Sequence, residues 1–263
     1  MDANKRKIIE IFNKNVKGKI PDISDSNVKH DGKKGHWLET QMGIAHNGDN
    51  KPDLFGYEMK NETTSGKITF GDWSANEYIF LHGRGKNKTN EINADYQITR
   101  NQFLEIFGKP NTDKEGRLSW SGIPCPTYYG DITSFGQELT IDGNDNVVIL
   151  YHYSKDKRSD KATIVPPMMQ LENLILARWN KDTLKRKLED KFNQNGWFTV
   201  STDAHRQYEK IHFGEPMHYN SWIKLFKEKK VFFDSGMYYG NKRPYSQWRA
   251  TTGVWHSLIT DSH

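Results

Sequence analysis

The sequence predicts a mixed α/β (α+β) fold, and three observations lead there. Apolar residues recur at helical spacing in some segments and alternate at strand spacing in others. The chain is only 35% hydrophobic, but its 8 Trp, 12 Tyr and 13 Phe can each bury a large area, so 263 residues can build a core. The pair Pro166-Pro167 marks the clearest internal boundary, which divides the chain into 1–165 and 166–263.

The elements follow in order. Residues 4–16 carry Ile8, Ile9, Ile11, Phe12 and Val16 at helical spacing, and Gly18 with Pro21 ends that helix. Residues 22–34 are polar and predict a loop. Residues 35–45 read as a helix with Trp37, Leu38, Met42 and Ala45 near one face, and 46–52 as a turn. Residues 53–60 alternate, with Phe55, Tyr57 and Met59 on the side expected to pack on the core. Strands are also expected at 66–70, 77–82 and 147–153, and a short helix at 100–108. Hairpins and loops fill 109–146. Residues 168–194 read as the longest helix, through Leu171, Leu174, Ile175, Ala177, Leu184 and Leu188, stopped by Asn195-Gly196. A short helix at 218–229 and a strand at 231–233 precede a basic, aromatic tail.

Composition excludes several classes. One cysteine, Cys125, leaves no disulfide framework and no Cys-based zinc site. It lies between two prolines with no histidine partner, so it reads as an inert thiol. No apolar run approaches the length of a spanning helix, and the N-terminus has no signal-peptide core, so the expected location is the cytoplasm without a membrane partner. The formal charge of +5 permits a polyanionic partner.

Chemistry concentrates in Asn50-Lys51-Pro52-Asp53-Leu54-Phe55-Gly56-Tyr57-Glu58-Met59-Lys60. On a strand, Glu58 and Lys60 share a face. A bend could bring the Asp53 carboxylate beside Glu58. Two carboxylates there could hold Mg²⁺, which takes oxygen ligands and keeps several waters. Such an ion acidifies a bound water and shields charge developing on a phosphate. Lys60 would position that water or stabilise the transition state. Phosphodiester hydrolysis needs these parts, although a pattern this short also arises by chance. Glu39 adds a third acid on the preceding helix. Gly35 and Gly43 flank it at i−4 and i+4, a bare helix face where something can approach or where helix and strand simply pack closely.

With Gly32-Lys33-Lys34-Gly35-His36-Trp37-Leu38-Glu39, Pro52-Asp53 and Glu58-Met59-Lys60 in view, residues 32–70 resemble the PD-(D/E)xK nucleases of the MutH branch, most closely the MvaI/BcnI-type restriction endonucleases. That resemblance implies a restriction-endonuclease-like core, a mixed central sheet flanked by helices, with a cleft for duplex DNA. It makes Asp53 and Glu58 the metal-binding carboxylates, Lys60 the catalytic lysine and Glu39 the accessory acid. It implies Mg²⁺-dependent cleavage, a monomer, residues 1–165 as the catalytic lobe, 166–263 as a DNA-recognition lobe, and a cognate DNA methyltransferase as genetic partner. His82, at the end of a strand-like run, is an extra active-site candidate because related enzymes use a histidine near the metal.

Several residue types suit DNA. Arg fits guanine O6 and N7, and Asn or Gln fits adenine N6 and N7. In the tail this singles out Asn241, Arg243, Gln247 and Arg249, with Lys242 for backbone phosphate. Arg84 and Lys86 form a further basic loop for phosphate. His205, His212 and His218 are too loosely spaced for a zinc site. Three other readings stay open at this stage: a MutH-like repair nickase, a DNA-binding protein whose Asp53, Glu58 and Lys60 form only ion pairs, and a carboxylate-pair glycosidase. The last leaves Lys60 without a role.

Overall fold

The computed structural model describes residues 2–22, 33–45, 49–82 and 90–263. The chain forms two compact units. The first holds residues 1–69, 186–222 and 250–263, and the second holds 70–185 and 223–249. Pro166 and Pro167 lie inside the second unit, not at a crossing between the two.

The first unit is built on a mixed four-stranded sheet, in the order Tyr57–Met59, Gly196–Thr202, Tyr208–Gly214, Ile259–Ser262. Tyr57–Met59 runs parallel to Gly196–Thr202, with Glu58 opposite Trp197, and the other pairs are antiparallel. Alternation along the strands separates two faces. Tyr57, Met59, Phe198 and Val200 join Ile8 and Phe12 of the helix Ala3–Asn15 and Leu38 and Met42 of the helix Lys33–Met42 in one core. Asp2 starts the first of these helices by accepting the Lys5 N–H at 3.1 Å. On the other face Trp197 packs edge-on against Trp255, with ring centroids 4.8 Å apart. Gly214 makes room for this: a Cβ there would lie 2.2 Å from the Trp197 ring.

The second unit contains an antiparallel sheet in the order Glu77–Tyr78, Leu174–Trp179, Val147–Asp156, Phe135–Ile141, and a smaller one in the order Met237–Tyr238, Arg117–Trp120, Lys109–Asn111. Its core is a chain of aromatic contacts through Phe80, Phe103 and Trp120, then Phe233, Trp179 and Trp248. The helix Arg100–Phe107 opens with a capping box from Thr99 and Gln102. Among the described residues, no helix is long and apolar enough to cross a membrane.

Three expectations are corrected. Residues 168–194 are not one helix. A 3₁₀ turn at Pro167–Met169 and the strand Leu174–Trp179 precede a helix confined to Lys181–Phe192. Asn173 takes a left-handed conformation, and the strand's fit between two neighbours overrides its helical spacing. Phe55 is not on a core-facing strand: it is exposed at the tip of a turn. Gly43 lies beyond its helix, not on the face of Glu39. At φ +75° it closes the helix, with its N–H on the Thr40 carbonyl and the Ile44 N–H on that of Glu39, a Schellman end.

Candidate active site

The site grows out of a tight turn. Leu54 and Tyr57 exchange both backbone hydrogen bonds, at 3.0 and 2.9 Å, around Phe55 and Gly56. Both central residues have positive φ, 47° and 84°, as a type I′ hairpin turn requires. Asn195 clamps the turn: its N–H reaches the Gly56 carbonyl at 3.0 Å and its side-chain amide reaches the Phe55 carbonyl at 2.9 Å. A Cβ on residue 56 would lie 2.6 Å from that amide, so glycine serves here both for its φ and for the close approach.

The turn folds Asp53 back onto the strand. Asp53 Oδ2 accepts the Met59 N–H at 2.9 Å. The residue is exposed, but its carboxyl is turned inward. Burial there, then the neighbouring Glu58 charge, push it up to about 6. Glu58 is buried, and its Oε1 accepts from Lys60 Nζ at 2.7 Å. Lys60 is buried too and lies over the Phe192 ring at 5.2 Å. Its burial lowers its affinity for a proton, which the Glu58 charge opposes. The structure thus brings Asp53, Glu58 and Lys60 together as the sequence led one to expect.

A fourth member was not anticipated. Lys191 of the helix Lys181–Phe192 reaches Glu58 Oε1 at 3.0 Å. The signal lay in the spacing: Leu184, Leu188 and Phe192 bury one helix stripe, and Lys191, three after Leu188 and seven after Leu184, sits on its flank.

A divalent ion fits this donor set. Among the described residues, the buried Glu58 Oε2 has no hydrogen-bond partner, and Asp53 adds a second carboxylate pressed against the first charge. One or two carboxylates are the usual protein share of a Mg²⁺ site. Among the described residues there is no group of three or more His, Cys, Asp or Glu able to hold a metal. Glu39 lies on the helix Lys33–Met42, partly exposed, with His36 Nδ1 3.5 Å from its Oε2.

The LlaMI restriction endonuclease family model matches residues 16–263. The chain belongs to that family. It is a type II restriction endonuclease: along its whole length it is 51% identical to the Type II restriction enzyme ScrFI of Lactococcus lactis subsp. cremoris, all of which is covered. Its fold is that of restriction endonuclease MvaI, solved with cognate DNA, at a TM-score of 0.59, with 12% identity, 100% of this chain and 98% of the other covered.

The remaining candidates of this restriction endonuclease sit elsewhere. His82 lies in the second unit, its ring edge-on to Tyr78 at 5.2 Å, and burial, then Arg100, lower its proton affinity. Asn241 is buried, and the turn uses its side chain: Oδ1 accepts from the Tyr238 N–H and Nδ2 donates to the Gly236 carbonyl at 3.3 Å. It therefore shapes the turn instead of presenting an amide to a base edge, a correction to its expected role. Lys242 is exposed. Gln247 and Arg249 share the outward face of the strand Ser246–Thr251, whose alternate residues Ser246, Trp248 and Ala250 are buried. Arg243 forks onto Asp72 at 2.8 and 3.2 Å, and Arg249 pairs with Asp234 at 2.7 Å. Either arginine would exchange an acid for a base or phosphate. Arg84 and Lys86 lie outside the described residues. His212 is held between Ser201 and Ser262, each at 2.8 Å, and His205 and His218 are exposed. Cys125 is buried, and that burial pushes its thiol well above the usual range.

Proposed function

We propose that Asp53, Glu58 and Lys60 carry Mg²⁺-dependent hydrolysis of a phosphodiester bond in each strand of a short duplex DNA site. The observation that carries this reading is the buried, partnerless Oε2 of Glu58 beside Asp53, with Lys60 bound to the other oxygen of the same carboxylate. A divalent ion held by the two carboxylates would supply a water of lowered pKa and neutralise charge on the phosphate. Asp53 is fixed by the Met59 N–H and Glu58 by the Lys60 ammonium, so neither carboxylate has to reorganise. Lys60 commits one of its three N–H donors to Glu58, and the others are free to orient the attacking water or bind a phosphate oxygen. Water oxygen bonds to phosphorus as the bond from phosphorus to the 3′ oxygen breaks; the water gives up a proton to solvent and the departing 3′ oxygen takes one from solvent, leaving a 5′-phosphate and a 3′-hydroxyl. Glu39 assists from its helix in this reading.

In the second unit, exposed Lys242 suits backbone phosphate, while Arg243, Gln247 and Arg249 suit base edges. The enzyme acts as a monomer, and a DNA methyltransferase encoded beside it protects the host. Supercoiled plasmid and phage DNA incubated with the purified protein test this. Discrete linear fragments with Mg²⁺ and none with EDTA support it, and the sequenced ends give the site. Nicked circles alone would contradict cleavage of both strands.

A further inference from the structure

Two ammonium groups converge on the buried carboxylate of Glu58. Lys60 and Lys191 meet at the same oxygen, Oε1, at 2.7 and 3.0 Å, while Oε2 of the same group is buried and unpartnered. The two lysines arrive differently. Lys60 follows Glu58 on its own chain segment, 10% exposed and seated over Phe192. Lys191 comes from a helix, keeps 18% of its side chain exposed, and has a long stem able to withdraw toward solvent. Two ammonium groups on one oxygen repel each other, although the Glu58 and Asp53 charges both act on them.

We propose that Lys191 is a stand-in cation, a positioning residue that holds Glu58 in its binding geometry while the metal is absent and gives the carboxylate up when a divalent ion arrives. The inference rests on the reading of Asp53 and Glu58 as metal ligands. It makes Lys191 a competitor of the ion: the lysine sets how much metal activates the enzyme, and once displaced it is a mobile cation beside the scissile phosphate. In bulk water, a unit charge about 6 Å from a divalent ion changes its affinity by about tenfold, and more where the surroundings are less polar.

The test is Mn²⁺ affinity of the full-length, DNA-free protein, by titration calorimetry or by loss of the free-ion paramagnetic signal. Lys191→Met should bind Mn²⁺ at least about tenfold more tightly than wild type. Lys191→Gln, which keeps a donor for Glu58 without the charge, should do the same, and Lys191→Arg should match wild type. The Mg²⁺ concentration for half-maximal cleavage should fall in step. A merely structural lysine would give unchanged or weaker binding in the Met and Gln variants, and that result overturns the inference while leaving the metal site standing. Glu58→Gln separates the two failures. If it binds Mn²⁺ as wild type does, or if wild type binds none, the metal reading itself falls and takes this inference with it.

Discussion

Asp53 has two separable duties, and paired substitutions divide them. Its carboxylate charge belongs to the proposed metal site, while its Oδ2 caps the Met59 N–H at 2.9 Å. Asp53→Asn removes the charge and keeps an acceptor oxygen. Asp53→Ala removes both. Met59 is buried at 6% exposure, so the alanine variant leaves a backbone donor without its partner, costing about 1–3 kcal/mol. The asparagine variant should stay within about 0.5 kcal/mol of wild type, since it also relieves the repulsion with Glu58. Both variants should lose cleavage by more than about a hundredfold. Urea unfolding measures the first difference and timed plasmid digestion the second. Equal stability of the two variants would refute the capping role, and cleavage by Asp53→Asn at a wild-type rate would refute the active-site role.

Other expectations follow from single contacts. Gly56→Ala should destabilise by about 2–3 kcal/mol, from left-handed backbone strain and a displaced Asn195 amide, measurable by thermal unfolding. Asp156 is buried; burial pushes its carboxyl up, but the Arg158 fork and the Tyr151 hydroxyl outweigh that and hold it below the usual range. A carboxyl held down in the folded state stabilises above its unfolded value and loses that contribution as pH falls through the folded one. Asp156→Asn should therefore cost about 3 kcal/mol at pH 7, and its deficit should shrink as pH falls below about 4, followed by denaturant unfolding at each pH. Lys242→Ala should weaken DNA binding across sequences and lower the slope of log K against log salt by about one, read from a salt titration.

Much of the first unit was legible because local chemistry and tertiary packing agree there. The helix Ala3–Asn15 and its C-cap Val16 show the core stripe as Ile8, Phe12 and Val16, and all three are fully buried. Glu58 and Lys60 lie at alternate positions, and the structure places them on one face with a direct ion pair. The Phe55-Gly56 turn was hidden because a phenylalanine at positive φ contradicts local preference. Asn195, far along the chain, fixes that turn, and a linear reading does not show such a partner. The strand Leu174–Trp179 escaped for a related reason. Its apolar spacing suits a helix, and only its two strand neighbours decide otherwise. Asn241 has a residue type suited to adenine, yet its amide is used within its own turn. Lys191 stood among several helix lysines, and its role needed the position of Glu58.

The central claim is that the buried carboxylate of Glu58 is indispensable to DNA cleavage. The most direct measurement compares wild type and Glu58→Gln on plasmid DNA in Mg²⁺ at saturating enzyme, after circular dichroism has shown both folded. Glutamine keeps the size of the side chain and an acceptor oxygen for the two lysines. The account expects wild type to produce discrete linear fragments and the folded variant to leave the plasmid intact. Fragments from Glu58→Gln at the wild-type rate would place the chemistry elsewhere in the chain.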